Sequence, residues 1–284
     1  MPQQVYLNGQ LVDADSAQIS PLANGFLYGV GLFETLRAYR GRYLFRLEAH
    51  LERLFTSAAV LGMEVGHTAS DLTAAINKTL ITNALTQDAY VRLTVAQGIE
   101  NSPIVLITAK PLLPYPEMLY LHGARATLTE IRRNPTSPLA RIKSLNYLEN
   151  LLMRKGTRAR GADEALFLDT DGNLAEGAAC NLFWVKSGMI YTPCLDCPIL
   201  PGITRSVVIE IARQEGYKVK EGKWGIEKLL EADEAFLTNS LMEVMPLTVI
   251  DETSIGSGRP GEITTQRIRL DRRSVEAWCG EYQK

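Results

Sequence analysis

The sequence is short of cysteine, with four in 284 residues, which excludes a small disulfide-stapled scaffold. It has no apolar run close to the ~18 residues of a membrane helix, so no spanning segment is expected. The opening MPQQVYLNGQ lacks the basic-then-apolar pattern of a secretory signal, and a soluble cytoplasmic protein is the expectation. Neither sign of charge is in excess: 30 Lys and Arg against 32 Asp and Glu leave −2. With no global field to gather nucleic acid or an anionic membrane, binding must come from a local site. The three histidines, His50, His67 and His122, show no ligand spacing, so no metal is expected. A Gly-x-Ser-x-Gly elbow, a Walker loop and Gly-x-Gly-x-x-Gly are also missing, since Tyr28-Gly-Val-Gly stops after two glycines.

What is there reads as a mixed α+β chain. Val5-Tyr6-Leu7 and Gln10-Leu11-Val12 flank Asn8-Gly9, a pair that tolerates positive φ at both turn positions and predicts a hairpin. Leu51, Leu54, Phe55 and Ala58 predict a helix over 48–61, and Leu72, Ala75, Ile76 and Leu80 another over 71–85. Strand-like runs lie at 43–45, 90–96 and 104–108. Three prolines within 110–116 fit neither a helix nor a central strand. The chain is therefore divided into a smaller N-terminal domain at 1–110, a linker at 111–119 and a larger strand-rich domain at 120–284. In the larger domain a helix is expected from Ser144 to about Ala159. A hairpin follows at Asp171-Gly172, then strands at 181–185 and 189–191, and a helix from Pro201-Gly202 to a C-cap at Gly216.

Four places could carry chemistry. Lys143 precedes Ser144, a candidate N-cap, at a strand-to-helix junction where the helix dipole disfavours a cation. Partial burial there would free its amine for Schiff-base chemistry, although a solvated lysine is the commoner role. Leu200-Pro-Gly-Ile203-Thr204 places a glycine and a hydroxyl at a helix mouth, a socket for a phosphate or an ordinary turn. Glu176 stands between an apolar strand and a run of small residues, where a carboxylate calls for a cationic partner or simply meets solvent. Cys194-Leu-Asp-Cys197 has no second pair and reads as a proline-flanked surface loop.

In this order and spacing, the pieces resemble the class IV pyridoxal-phosphate enzymes. These include branched-chain and D-amino-acid aminotransferases, (R)-amine transaminases and aminodeoxychorismate lyase. The resemblance runs from the Asn8-Gly9 hairpin through Leu27-Tyr-Gly-Val-Gly-Leu-Phe-Glu34 and His50-Leu-Glu-Arg53 to Gly256-Ser-Gly-Arg-Pro-Gly261. It implies fold type IV, with two domains and the cofactor, pyridoxal 5'-phosphate, at their interface. It further implies that Lys143 holds the cofactor as an internal aldimine and shuttles the proton between Cα and C4′. Glu176 would face the pyridine nitrogen, and Tyr147 would contact the ring's phenolic oxygen. Arg53, Ile203, Thr204 and Ser240 would take the phosphate, and Leu200 would pack on the ring.

For substrate, the resemblance implies Tyr90 and Arg92 for a carboxylate, with Tyr28, Phe33 and Leu241 walling the pocket. It also implies a homodimer, an amino donor and a keto-acid acceptor. Two functions from different reaction classes share these first residues. One is transamination between a small amino acid or amine and a 2-keto acid. The other is 4-amino-4-deoxychorismate lysis to 4-aminobenzoate and pyruvate. Tyr90-x-Arg92 and the intact Leu-Pro-Gly-Ile-Thr turn favour the transaminase. Asn239-Ser-Leu-Met242, where branched-chain enzymes carry Gly-Thr-Ala-Ala, favours the lyase.

Overall fold

The computed structural model describes residues 3–266 and Val275. They divide into two compact units, one of residues 3–113 with 142–146, the other of 114–141 with 147–266 and Val275.

The first unit is built on β1 (Gln4–Leu7), β2 (Gln10–Asp13), a short α1 (Asn24–Leu27), β3 (Gly31–Tyr39) and β4 (Tyr43–Leu44). Helices α2 (Leu47–Val60) and α3 (Ala69–Thr82) follow, then β5 (Ala89–Gln97) and β6 (Pro103–Pro111). The six strands form one antiparallel sheet in the order β2-β1-β6-β5-β3-β4. The first hairpin turns on Asn8 and Gly9 with φ of 46° and 97°, the mirror-image geometry that suits strand twist. Both helices lie within two or three residues of their expected bounds. α3 opens with a reciprocal cap: Asp71 N donates to Thr68 Oγ1 at 3.2 Å, and Thr68 N donates to Asp71 Oδ2 at 2.9 Å.

Strand alternation decides which side chains meet the helices. Leu32, Leu36 and Ala38 of β3 bury with Leu51, Leu54, Leu72 and Ile76, whereas Phe33, Thr35 and Arg37 point to the other face. Register carries that second face across β5, pairing Phe33 with Thr94, Thr35 with Arg92 and Arg37 with Tyr90.

Two local expectations change. β6 runs on through Lys110 and Pro111, which pair with Tyr90 and Ala89, so the start of the proline-rich stretch is strand. Proline is tolerated because β1 pairs with β6 only at Leu106 and Ile107, leaving β5 as the neighbour there. The helix expected from Ser144 starts at Leu148 instead, with Tyr147 as its N-cap. Residues 143–145 are drawn into extended pairing with β3. Phe33 N donates to Lys143 O at 2.9 Å, Leu145 N donates to Gly31 O at 2.9 Å, and Ser144 bridges Leu32. Ile142 packs on the first unit's core, so Lys143 groups with that unit rather than with the C-terminal body where the sequence placed it.

The second unit contains α4 (Glu117–His122), β7 (Ala124–Arg133), α5 (Leu148–Ala159), β8 (Glu164–Asp169), β9 (Leu174–Gly177), β10 (Asn181–Lys186) and β11 (Met189–Pro193). It continues with α6 (Ile203–Gln214), β12 (Val219–Gly222), α7 (Ile226–Leu230), β13 (Glu234–Asn239), β14 (Glu243–Ile250) and β15 (Thr253–Ser254). The sheet runs β12-β11-β10-β13-β14-β7-β8-β9, with β15 added to β14. One face packs α6 through Val208, Ile209 and Ala212 on Phe183, Phe236 and Val244. α6 ends as expected at Gly216, where φ is 81° and Tyr217 N donates to Ala212 O at 2.9 Å. Among the described residues no helix is long and apolar enough to cross a membrane.

Candidate active site

In the first unit, Lys143, Phe33 and Arg92 come together. The Lys143 ammonium stands 4.5 Å from the Phe33 ring centre and the Arg92 guanidinium 3.8 Å, an arrangement in which the ring's π face attracts both cations. Arg92 Nε also donates to Thr94 Oγ1 at 3.2 Å, which fixes the guanidinium along its strand. Tyr90 lies on the same strand face, its ring 5.3 Å from Lys110 Nζ. Tyr28 is placed differently: it follows α1 and is 71% exposed.

Arg53 sits on the helix side of β3. Its Nε donates to Glu34 Oε1 at 2.9 Å and its Nη2 to Glu34 Oε2 at 2.6 Å, the bidentate fork that matches a carboxylate. His50 adds a third contact, with Nδ1 2.7 Å from Glu34 Oε2. Burial alone would raise the Glu34 carboxyl, but the Arg53 charge and the bonds from His50 and Arg53 outweigh it and hold it at about 2. Burial lowers the pKa of His50, and the Lys143 charge contributes to the same shift. His50 and Glu34 were missed from sequence as site residues. Their signal was nonetheless present: His50 and Arg53 are one helical turn apart, and Glu34 is a lone acid between the inward-facing Leu32 and Leu36.

In the second unit, Glu176 is locked at the end of β9. Its Oε2 accepts from Leu200 N at 2.9 Å and from Asn181 Nδ2 at 3.1 Å. Asn181 Nδ2 also donates to Leu200 O at 2.9 Å, so one amide ties the acid to the turn that leads into α6. Nothing in the spacing marked Asn181: Glu176 is five residues before it, but Leu200 is nineteen residues on, and only the fold brings the three together. Tyr147 Oη donates to Ala178 O at 2.7 Å, and burial, then the Glu176 charge, push the phenol up to about 12. It therefore stays protonated across the ordinary pH range. Cys194 and Cys197 lie 3.9 Å apart at sulfur, and burial, then Cys194, raise Cys197 to about 12.

The α6 turn has the chemistry of an anion socket. Its N-cap is Gly202, which has no side chain with which to satisfy the amides of Ile203 and Thr204, and those amides carry the positive end of the helix dipole. Thr238, two residues along β13 from Phe236 on the face that α6 covers, is fully buried with no hydrogen-bond partner for Oγ1. An orphaned buried hydroxyl on the face that α6 covers fits a phosphate oxygen, and a Glu176 carboxyl held by two donors fits a pyridinium nitrogen. The residues present therefore fit pyridoxal 5'-phosphate.

Gly202 tests the arrangement. A Cβ there would overlap Asn181 Oδ1. Gly202→Ala is expected to displace the Asn181 amide, costing about 1–3 kcal/mol of stability. It should also loosen Glu176, read as a lower Tm and faster cofactor loss on gel filtration. Unchanged retention would show that Asn181 does not hold the acid in place.

A family model described as amino-transferase class IV matches residues 31–250. The aminodeoxychorismate lyase of Bacillus subtilis is 37% identical over 282 residues, covering 96% of this chain and 94% of that one. A branched-chain-amino-acid aminotransferase of Escherichia coli is 33% identical over 277 residues, covering 92% and 89%. The solved branched-chain amino acid aminotransferase of T.th. with pyridoxamine 5'-phosphate superposes with a TM-score of 0.92 at 32% identity, covering 100% of this chain and 97% of that one.

Proposed function

Because the chain belongs to the class IV aminotransferases, and is thereby a pyridoxal-phosphate-dependent transaminase, we propose that it moves an amino group between a small amino acid or amine and a 2-keto acid, with Lys143 as the catalytic amine. The observation that carries this reading is the placement of Lys143. Backbone pairing to β3 fixes its main chain, while its amine stands over Phe33 on the face that also bears Arg92. When bound, the cofactor supplies the electron sink that lets a Cα proton leave.

The chain's own residues do the rest. Lys143 would hold the cofactor covalently and, once a substrate amine has displaced it, its freed amine would take the proton from the substrate Cα. Glu176, held in place by Leu200 N and Asn181, would face the ring nitrogen of a bound cofactor and favour its protonated form. Tyr147, a neutral phenol whose O–H donates to Ala178 O, would reach the ring oxygen of a bound cofactor by turning that O–H away from Ala178 O, without titrating. Arg53, the amides of Ile203 and Thr204, and Ser240 are the groups that would take the phosphate of a bound cofactor, and Leu200 would pack on its ring. Arg92 and Tyr90 orient a substrate carboxylate, and Tyr28, Phe33 and Leu241 line the pocket.

An apolar stripe on α5 supports a homodimer. Leu148, Leu151 and Leu152, at helical spacing, are 68%, 53% and 52% exposed, and Phe26 on α1 is 66% exposed. The dimer would work in the cytoplasm. A second reading, the lyase, is favoured by Leu241 and Met242, bulkier than two alanines, and by the Bacillus subtilis relative.

A half-reaction screen with L-amino acids, D-amino acids and primary amines tests the choice. At least one donor is expected to remove the cofactor's long-wavelength absorbance and release its keto product. If none does, while aminodeoxychorismate yields pyruvate, the protein is the lyase.

A further inference from the structure

The turn between β13 and β14 consists of Ser240, Leu241 and Met242, and Asn239 stands at its base, paired with Glu243. Asn239 Oδ1 accepts from Leu241 N at 2.9 Å and from Met242 N at 2.8 Å. Its Nδ2 donates to Ala179 O at 2.9 Å. One side chain thus closes the turn with one atom and fastens it to the loop 177–180 with the other.

That loop follows Glu176 directly and is itself rigid. Ala178 O accepts from Tyr147 Oη and Asn150 Nδ2, each at 2.7 Å, and Ala178 N donates to Ala165 O at 2.9 Å. Arg133 holds Asn150 in turn, with Nη2 3.0 Å from its Oδ1. On the turn's far side Tyr120 Oη donates to Met242 O at 2.9 Å, and Glu243 accepts a left-handed backbone with φ of 62° to re-enter the strand. The conformation of the turn is therefore dictated, and Asn239, which also shares a side-chain hydrogen bond with Tyr115, joins it to the acid-bearing loop.

We propose that Asn239 is a positioning residue that sets donor selectivity, by locking the turn 240–242 to the loop after Glu176. This rests on the reading that Ser240 and Leu241 belong to the cofactor and substrate pocket. The amide is two-sided, and its replacements separate the two functions. Asn239→Asp keeps an acceptor for the two turn amides but loses the donor to Ala179 O. Asn239→Gly loses both.

The test compares the two variants with wild-type holoenzyme by amide hydrogen exchange and by kinetics on alanine and leucine in both enantiomers. In Asn239→Gly, exchange across 240–242 is expected to rise at least tenfold. The ratio of kcat/KM between alanine and leucine should change at least tenfold, mostly through KM. In Asn239→Asp, exchange should rise at 177–180 but stay slow in the turn, and the donor ratio should still shift more than threefold because the tether to Ala179 O is lost; a ratio unchanged from wild type overturns the proposal. Unchanged exchange in Asn239→Gly overturns the proposal, and so does an equal fall for every donor, which marks a residue needed only for folding. Should Asn239→Gly not fold, Asn239→Ser replaces it under the same criteria. A wild-type enzyme that turns over no donor fails the transaminase reading instead, and the exchange comparison alone then decides whether Asn239 holds the turn.

Discussion

Lys143→Ala is expected to lower kcat by at least about 10³-fold, since a positioned acid–base group contributes roughly 10²–10⁴ and covalent attachment is lost with it. The fold should survive the change. What ties residues 143–145 to β3 is main chain: Phe33 N to Lys143 O, Leu145 N to Gly31 O, and the Ser144–Leu32 bridge. Alanine keeps all three, and the contact with the Phe33 ring that it gives up is worth about 0.5–1 kcal/mol at an exposed site. A small change in Tm beside a near-total loss of turnover is therefore the expected signature. Lys143→Arg should fare no better, because a guanidinium keeps the charge and remains protonated. Borohydride reduction of the holoenzyme followed by intact mass is the direct check: wild type gains the cofactor mass and Lys143→Ala does not. A variant that still trapped the cofactor covalently would move the attachment to another lysine.

Glu34→Ala should have the largest effect on stability. Its carboxylate is 1% exposed and receives both sides of the Arg53 fork and the His50 ring. Removing it takes the carboxylate from a mostly buried guanidinium and a buried imidazole, a loss of up to about 3–5 kcal/mol. For a chain of this size that is a fall in Tm of roughly 5–8 °C. It should also weaken the cofactor's phosphate binding, because the arginine assigned to that role loses the group that orients it. Pyridoxal without the phosphate, compared with the phosphorylated cofactor, separates this effect from general loosening: only the phosphorylated form should lose affinity disproportionately.

The same cluster sets an acid limit. The folded Glu34 carboxyl lies at about 2, below its ordinary value, so its stabilisation is complete above that ordinary value and is lost as pH falls toward 2. The whole window is worth on the order of 3 kcal/mol. His50 acts with the same sign. Burial keeps it neutral in the fold, the unfolded chain takes up a proton below its ordinary 6.5, and stability is lost as pH falls. Denaturant midpoints measured between pH 7 and pH 4 should decline in wild type and decline less in a His50→Gln variant.

Features that rest on local sequence were legible. The Asn8-Gly9 turn, the leucine stripe of α2 and the glycine that closes α6 each follow from neighbours a few residues away. The start of α5 was not, because Ser144 resembles an N-cap and only the distant edge of β3 draws residues 143–145 into extended pairing. Assigned roles for Lys143, Glu176 and Arg53 came from family resemblance, whereas the groups that position them came from the structure. Glu34 could have been suspected, since an acid at an inward-facing strand position demands cationic partners. Asn181 left no such trace: its partners, Glu176 and Leu200, meet it only after folding. Asn239 was visible as a departure from the family's small residues, but its two-sided bonding was not.

The return of residues 142–146 to the first unit also orders events on the ribosome. The β3 edge near Leu32 is translated early, yet its partner strand emerges only after residues 114–141 have been made. At about 5–20 residues per second, the nascent sheet waits for seconds with that edge open. During the wait it is a template for pairing with another chain, and a fragment ending at residue 113 would never leave that state.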